Sequence, residues 1–180
     1  HAGLRSARAT VGPALIILST ALGVVGAYYQ SAAAHELLER VIPFRNWCGF
    51  TFSPIATMLF SGVLPFLYLR AHPSTTQIHP WPHLVFFALF WAYKGVEMNL
   101  FYLGAAVLFG SGHDWLTIIQ KTLFENFVYN MILTIPYGVL LYDWKNAGFN
   151  WSKPLADLRA GRWYYRRVFP VLLSVWAVWI

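Results

Sequence analysis

Apolar residues run in long blocks along this chain, and polar residues gather between the blocks. The first block, from Val11 to Tyr29, is uncharged and rich in Ala, Gly and Leu. Small residues at Gly12, Ser19, Gly23 and Gly26 would let another helix approach it closely. From Ser31 to Arg45 the pattern changes: Leu37, Leu38, Val41 and Ile42 recur at helical spacing among His35, Glu36, Glu39 and Arg40. That spacing predicts a short interfacial helix, ended by Pro43. The second block, Trp47 to Leu69, contains Pro54 and Pro65, which should bend it, and Arg70 follows it. His72 to Pro82 reads as a loop. The third block, Trp81 to Phe109, and the fourth, Trp115 to Tyr142, are joined by the turn Gly110, Ser111, Gly112, His113, Asp114. The stretch Tyr142 to Arg167 is polar and broken at Gly148, Pro154 and Gly161, as a surface segment would be. Val168 opens a fifth block that is still running at Ile180.

A helix needs about 20 apolar residues to cross about 30 Å of hydrocarbon. Four blocks meet that length, and the fifth is expected to be truncated. The expected fold is all-α: a polytopic integral membrane helical bundle of about five transmembrane helices. Residues 1–46 form an N-terminal extension with one transmembrane helix and the interfacial helix, and residues 47–180 form a four-helix membrane core.

Composition agrees with this pattern. Charged residues make up 11% of the chain and hydrophobic residues 58%, against about 25% and 45–50% in soluble domains. The net charge of +6 could point to nucleic acid, but its distribution does not. Lys145, Lys153, Arg159, Arg162, Arg166 and Arg167 lie beside apolar blocks and read as a membrane-facing anchor. No nucleic-acid partner is expected. With the N-terminus inside, the inner segments hold those six residues with Arg5, Arg8 and Arg70, and the outer segments hold Arg40 and Arg45. The N-terminus is therefore expected on the cytoplasmic or matrix side, in a bacterial plasma membrane or the mitochondrial inner membrane. His1 to Thr10, with Arg5, Ser6 and Arg8 and no acid, is similar to the tail of a transit peptide. The single cysteine, Cys48, excludes an internal disulfide and reads as a small apolar residue.

Candidate chemistry lies in the hairpin of the third and fourth blocks. Lys94 and Glu97 in one, and Lys121 and Glu125 in the other, are charges in apolar surroundings. Lys94 and Asn130 are equally far from Gly112 along the chain, and Glu97 and Glu125 nearly so. At about 1.5 Å per residue, these groups meet near mid-membrane if the helices pack as antiparallel neighbours. Lys94 and Glu97 are i,i+3, Lys121 and Glu125 are i,i+4, and Asn126, Asn130 and Thr134 form a second strip at i,i+4. A charge at the bilayer centre costs at least about 2.5–3.5 kcal/mol, so such groups are paired or functional. One reading is a buried Lys94–Glu97 or Lys94–Glu125 bridge that fixes register. The other is a polar pathway lined by Lys94, Glu97, Lys121, Glu125, Asn126 and Asn130. No HExxH, GxSxG or paired-Asp motif appears, so no enzymatic activity is expected. His35 with Glu39, and the irregularly spaced His72, His79 and His83, lack the ligand number for a metal site. No protein-bound cofactor is expected beyond lipid, with a pigment or haem on a lone His left open.

A spaced series of motifs is similar to the small Mpv-type membrane proteins of peroxisomes and the inner mitochondrial membrane, which have bacterial relatives. Ser61-Gly62-Val63-Leu64 resembles the small-residue motif of that family's first helix, and Gly95 with Phe101-Tyr102 its Gly-Pro and Trp-Tyr. Lys121 with Glu125-Asn126 resembles its Lys…Asp-Gln, and Lys153-Pro-Leu with Trp176-Ala-Val-Trp179 its basic linker and Trp-rich last helix. The similarity spans roughly residues 60–180. The Gly-Asp pair and downstream Gln are missing after Leu64, Glu-Asn stands for Asp-Gln, and the proline expected soon after that pair is displaced to Pro136. The resemblance implies a four-helix core and a pore-like or small-solute transport role. The expected partners are membrane lipid and either further copies of the chain or other membrane subunits. The rival expectation is a non-catalytic accessory subunit of a larger membrane complex.

Overall fold

The computed structural model describes residues 19–20, 22–71, 80–112 and 114–179, and every regular element among them is helical, with no strand. Residues 11–18 and 21 of the first apolar block, and His72 and His79, lie outside the described residues. After helical residues 22–30 come α1 (Ala32–Glu39), α2 (Val41–Cys48), α3 (Phe52–Thr57), α4 (Leu64–Ala71) and α5 (Pro82–Phe109). They are followed by α6 (Trp115–Phe124), α7 (Ile135–Asn146), α8 (Ser152–Arg159) and α9 (Phe169–Trp179). A 3-10 turn, Gly49–Thr51, precedes α3. Wide π-helical stretches join α3 to α4 (Met58–Val63), join α6 to α7 (Glu125–Thr134), and lead into α9 (Tyr164–Val168).

The third and fourth apolar blocks become the helices expected of them, α5 and the continuous helix 115–146. Asp114 starts the latter by accepting the Thr117 backbone N–H at 3.0 Å and the Thr117 hydroxyl at 2.7 Å. Those two bonds hold its carboxyl below the usual carboxylate range. Pro43, expected to end a helix, instead lies in the first turn of α2, where its missing N–H would have no partner inside the helix. The interruption comes before it, at Arg40, and again at Gly49, whose φ of +54° suits glycine.

Among the described residues, two helical stretches are long and apolar enough to cross a membrane: Ala32–Ala71 and Pro82–Phe109. Helix 115–146 is as long, but Gln120, Lys121, Glu125, Asn126 and Asn130 interrupt its apolar run.

The chain divides into two compact units. In residues 39–118, the α3–α4 segment packs antiparallel on α5, and two glycines set the approach. A methyl group on Gly95 would lie 2.6 Å from Pro54 Cα, and one on Gly62 would lie 2.8 Å from the Phe87 carbonyl oxygen. The backbones therefore meet directly at both points. Ser53 donates its hydroxyl to the Gly95 carbonyl at 3.4 Å, and the Asn99 amide donates to the Phe50 carbonyl at 3.0 Å. Phe66 is fully buried against Phe87 and Trp81, and Arg70 lies over the Trp81 ring.

The other unit comprises residues up to 38 together with 119–180. The helix through α7 runs to Asn146, and the chain turns at Gly148 and Phe149, both at positive φ. It passes through α8, turns again at Gly161, and returns along α9. Trp163, Val168 and Leu172 form the core between the two strokes, packed by Ile135, Val139, Leu140, Leu158 and Trp176.

Gly95→Ala should destabilise by about 1–3 kcal/mol, because a packed backbone has to move aside. Gly104→Ala, with nothing within 4 Å of the added methyl, should be neutral or gain up to about 1 kcal/mol from helix propensity. Unfolding midpoints in an SDS titration, read by tryptophan fluorescence, check this; equal effects at both positions would contradict the packing described.

Candidate functional site

The candidate residues fall in both units. On α5, Lys94 Nζ and Glu97 Oε2 are 3.0 Å apart, and the two side chains are 12% and 8% exposed. Of the two acids open to Lys94 by sequence, Glu97 is the one this bridge uses. The pair flanks Gly95, so the backbone contact with Pro54 also fixes the part of α5 that carries it. In the same unit, α2, the 3-10 turn, α3 and α5 line a cavity of about 490 Å³, with Arg45, Phe50, Ser53, Thr57, Asn99 and Tyr102 among its residues. The hydroxyl of Thr57 is taken up by the Ser53 carbonyl at 2.6 Å, and Ser53 and Asn99 are bonded as above. Arg45 is the one charged side chain among the described lining residues.

In the other unit, Lys121, Glu125 and Asn130 are partly buried and Asn126 is 5% exposed. Asn126 and Thr134 are buried with half-buried Asn130 between them, so the strip expected at i,i+4 does turn away from the surface. Asn126 donates its amide to the Thr122 carbonyl at 3.0 Å.

The wide helical register through this strip is not foreshadowed by the spacing of its polar residues. Ahead of Pro136, Ile135 donates its N–H to Asn130 O, five residues back. The same bond occurs from Leu64 to Leu59 ahead of Pro65, and from Phe169 to Tyr164 ahead of Pro170. Proline has no N–H and its ring crowds the carbonyl four residues back; widening the turn by one residue relieves that crowding. One carbonyl is left outside the ladder. For Met131 the α-helical donor, Ile135, is used on Asn130, and the next donor would be Pro136. The Tyr164 hydroxyl donates to Met131 O at 2.8 Å and fills that gap. One turn earlier, Trp176 Nε1 donates to Asn126 O at 3.2 Å, with its ring 5.1 Å from Phe127. Thus α9 and its lead-in stitch the polar strip through the strip's own backbone. The proline five residues after Met131 was the available signal; the tyrosine that answers it is distant in sequence.

At the end of α7, Asp143 is a second centre missed from sequence. It accepts from Trp163 Nε1 at 3.3 Å and pairs with Arg167 at 3.4 Å. Nearby Lys145 is 3% exposed, and burial pushes its amine below the usual lysine range. Its Nζ lies 5.5 Å from the centre of the Tyr142 ring. Among the described residues, no group of three or more His, Cys, Asp or Glu could hold a metal ion. The chain matches no protein-family model, no curated protein and no solved structure.

Tyr164→Phe leaves the Met131 carbonyl without its donor and should cost about 0.5–1.5 kcal/mol, whereas Tyr165→Phe, at an exposed ring, should cost nothing measurable. A second outcome concerns Lys145. The unfolded amine holds its proton to higher pH than the folded one. Stability relative to Lys145→Met should therefore rise as pH climbs from the folded pKa toward the ordinary value near 10.5. A pH series of unfolding midpoints for the two proteins checks the sign; a falling difference would contradict it.

Proposed function

We propose that the chain is an integral membrane helical bundle of about five crossings with a channel-like or small-solute transport role along a polar seam. Lys94, Glu97, Lys121, Glu125, Asn126 and Asn130 are its lining residues. The observation that carries the reading is the buried Lys94–Glu97 pair, 3.0 Å apart, inside a helix long and apolar enough to cross a membrane. Ionised groups at such depth are tolerated where they face protein or water rather than lipid. Large exposed apolar side chains on the helices, such as Val107 at 86% and Ile132 at 70%, suit a surface bathed in lipid. The stretch 115–142 crosses with its polar strip turned inward and Ile132 outward. The motifs from Ser61 to Trp179 support membership of the Mpv-type family. The basic residues beyond Tyr142 support an N-terminus on the cytoplasmic or matrix side, in a bacterial plasma membrane or the mitochondrial inner membrane.

The second reading is an accessory subunit of a larger membrane complex. The closure of Lys94 on Glu97 favours it, because a pin that fixes helix register needs no more than such a pair.

Reconstitution in liposomes separates the two. The wild type should pass small polar solutes, and the double variant Lys94→Ala, Glu125→Ala should lower that flux several-fold or change its charge preference. Flux and preference unchanged by the double variant would refute the seam. Absence of flux from the isolated chain, together with stoichiometric recovery in a large native assembly, would establish the accessory role.

A further inference from the structure

The surface that opens the return stroke toward α9 combines three features. Gly161, at φ +72°, ends the turn after α8, and the next six residues include Arg162, Arg166 and Arg167. The Arg166 N–H donates to the Arg162 carbonyl at 3.0 Å, an ordinary α-helical step that places both side chains on one face. These arginines, with Asp157, Ala160 and Trp163, line a cavity of about 330 Å³. Three guanidinium groups face one carboxylate on the lining, and with Asp143 paired to Arg167 the net charge is about one positive. The floor is fixed from behind, since Asp143 takes the Trp163 indole N–H on one oxygen and Arg167 on the other. Arg162 and Arg166 are exposed, so their forks are available to an incoming anion. Beside them Tyr165 is 78% exposed, with its ring 5.7 Å from Phe169. Such an aromatic pair sits well at the level of lipid headgroups.

The geometry points to a binding site for a phosphate group, with Arg162 and Arg166 as its forked donors and the headgroup of an anionic phospholipid as its ligand. Guanidinium matches phosphate through two parallel N–H···O bonds. The concave lining distinguishes this site from a diffuse basic surface. The lipid form of the proposal rests on the membrane reading above; phosphate binding as such does not.

The test titrates the purified full chain in neutral detergent with dioctanoyl phosphatidylglycerol, dioctanoyl phosphatidylcholine or inorganic phosphate, and reads binding by native mass spectrometry and thermal shift. Phosphatidylglycerol should bind more tightly than phosphatidylcholine. Its affinity should fall about fivefold in Arg166→Gln and about thirtyfold in Arg162→Gln, Arg166→Gln. Arg40→Gln, an exposed arginine of the other unit, should bind as wild type does. The double lysine variant keeps the charge and loses the fork, and should fall between. Displacement of phosphatidylglycerol by millimolar inorganic phosphate would support the phosphate site and assign it to free phosphate, and failure of displacement assigns it to lipid. Equal affinity of the double glutamine variant and wild type, or no preference over phosphatidylcholine, would overturn the proposal.

Discussion

In residues 39–118 the backbone of α5 lies directly on the backbone of the segment before it, at Gly95 against Ser53 and Pro54 and at Gly62 against Phe87. No side chain fits between, so neither helix has freedom to slide or rotate there. That contact fixes where the Lys94–Glu97 pair sits, two residues that share one face of α5 on either side of Gly95. It also brings Ser53 and Asn99 within reach of opposing backbone carbonyls. The hairpin is held by approach of main chains, with aromatic packing of Phe66 on Phe87 and Trp81 closing one end.

The other unit is held together by different contacts. Prolines at 136 and 170 force the helix ahead of each to widen, and the widening displaces a backbone carbonyl from the ladder. The Tyr164 hydroxyl takes up the displaced carbonyl of Met131. Trp176 bonds at Asn126 and packs its ring against Phe127. The polar strip is therefore held in part by bonds to its own backbone, from Tyr164 and Trp176.

Much of this was legible in the sequence, and the rest was not for identifiable reasons. The boundaries of α5 and helix 115–146 follow from long apolar runs set off by Gly110, Gly112 and Asp114, so block pattern located them well. The Lys94–Glu97 bridge follows from their i,i+3 spacing. Pro43 misled, because proline stops a helix from inside but is welcome in its first turn, and sequence alone did not show which of these it occupied. The π-helical register was hidden because it depends on which carbonyl an N–H chooses, a choice settled only when Pro136 meets a folded helix. The Tyr164–Met131 and Asp143–Arg167 links join residues far apart in sequence, and no spacing rule reaches them.

The proposed seam requires that water reach the polar strip from within the bilayer. Thiol labelling in liposomes measures this directly, using a Cys48→Ser background, which removes the chain's single cysteine. A charged, membrane-impermeant reagent should modify Asn130→Cys on the strip and leave Ile132→Cys, on the exposed apolar surface, unmodified. Labelling of both positions alike would place the helix in water, and labelling of neither would seal the seam; either result contradicts the account.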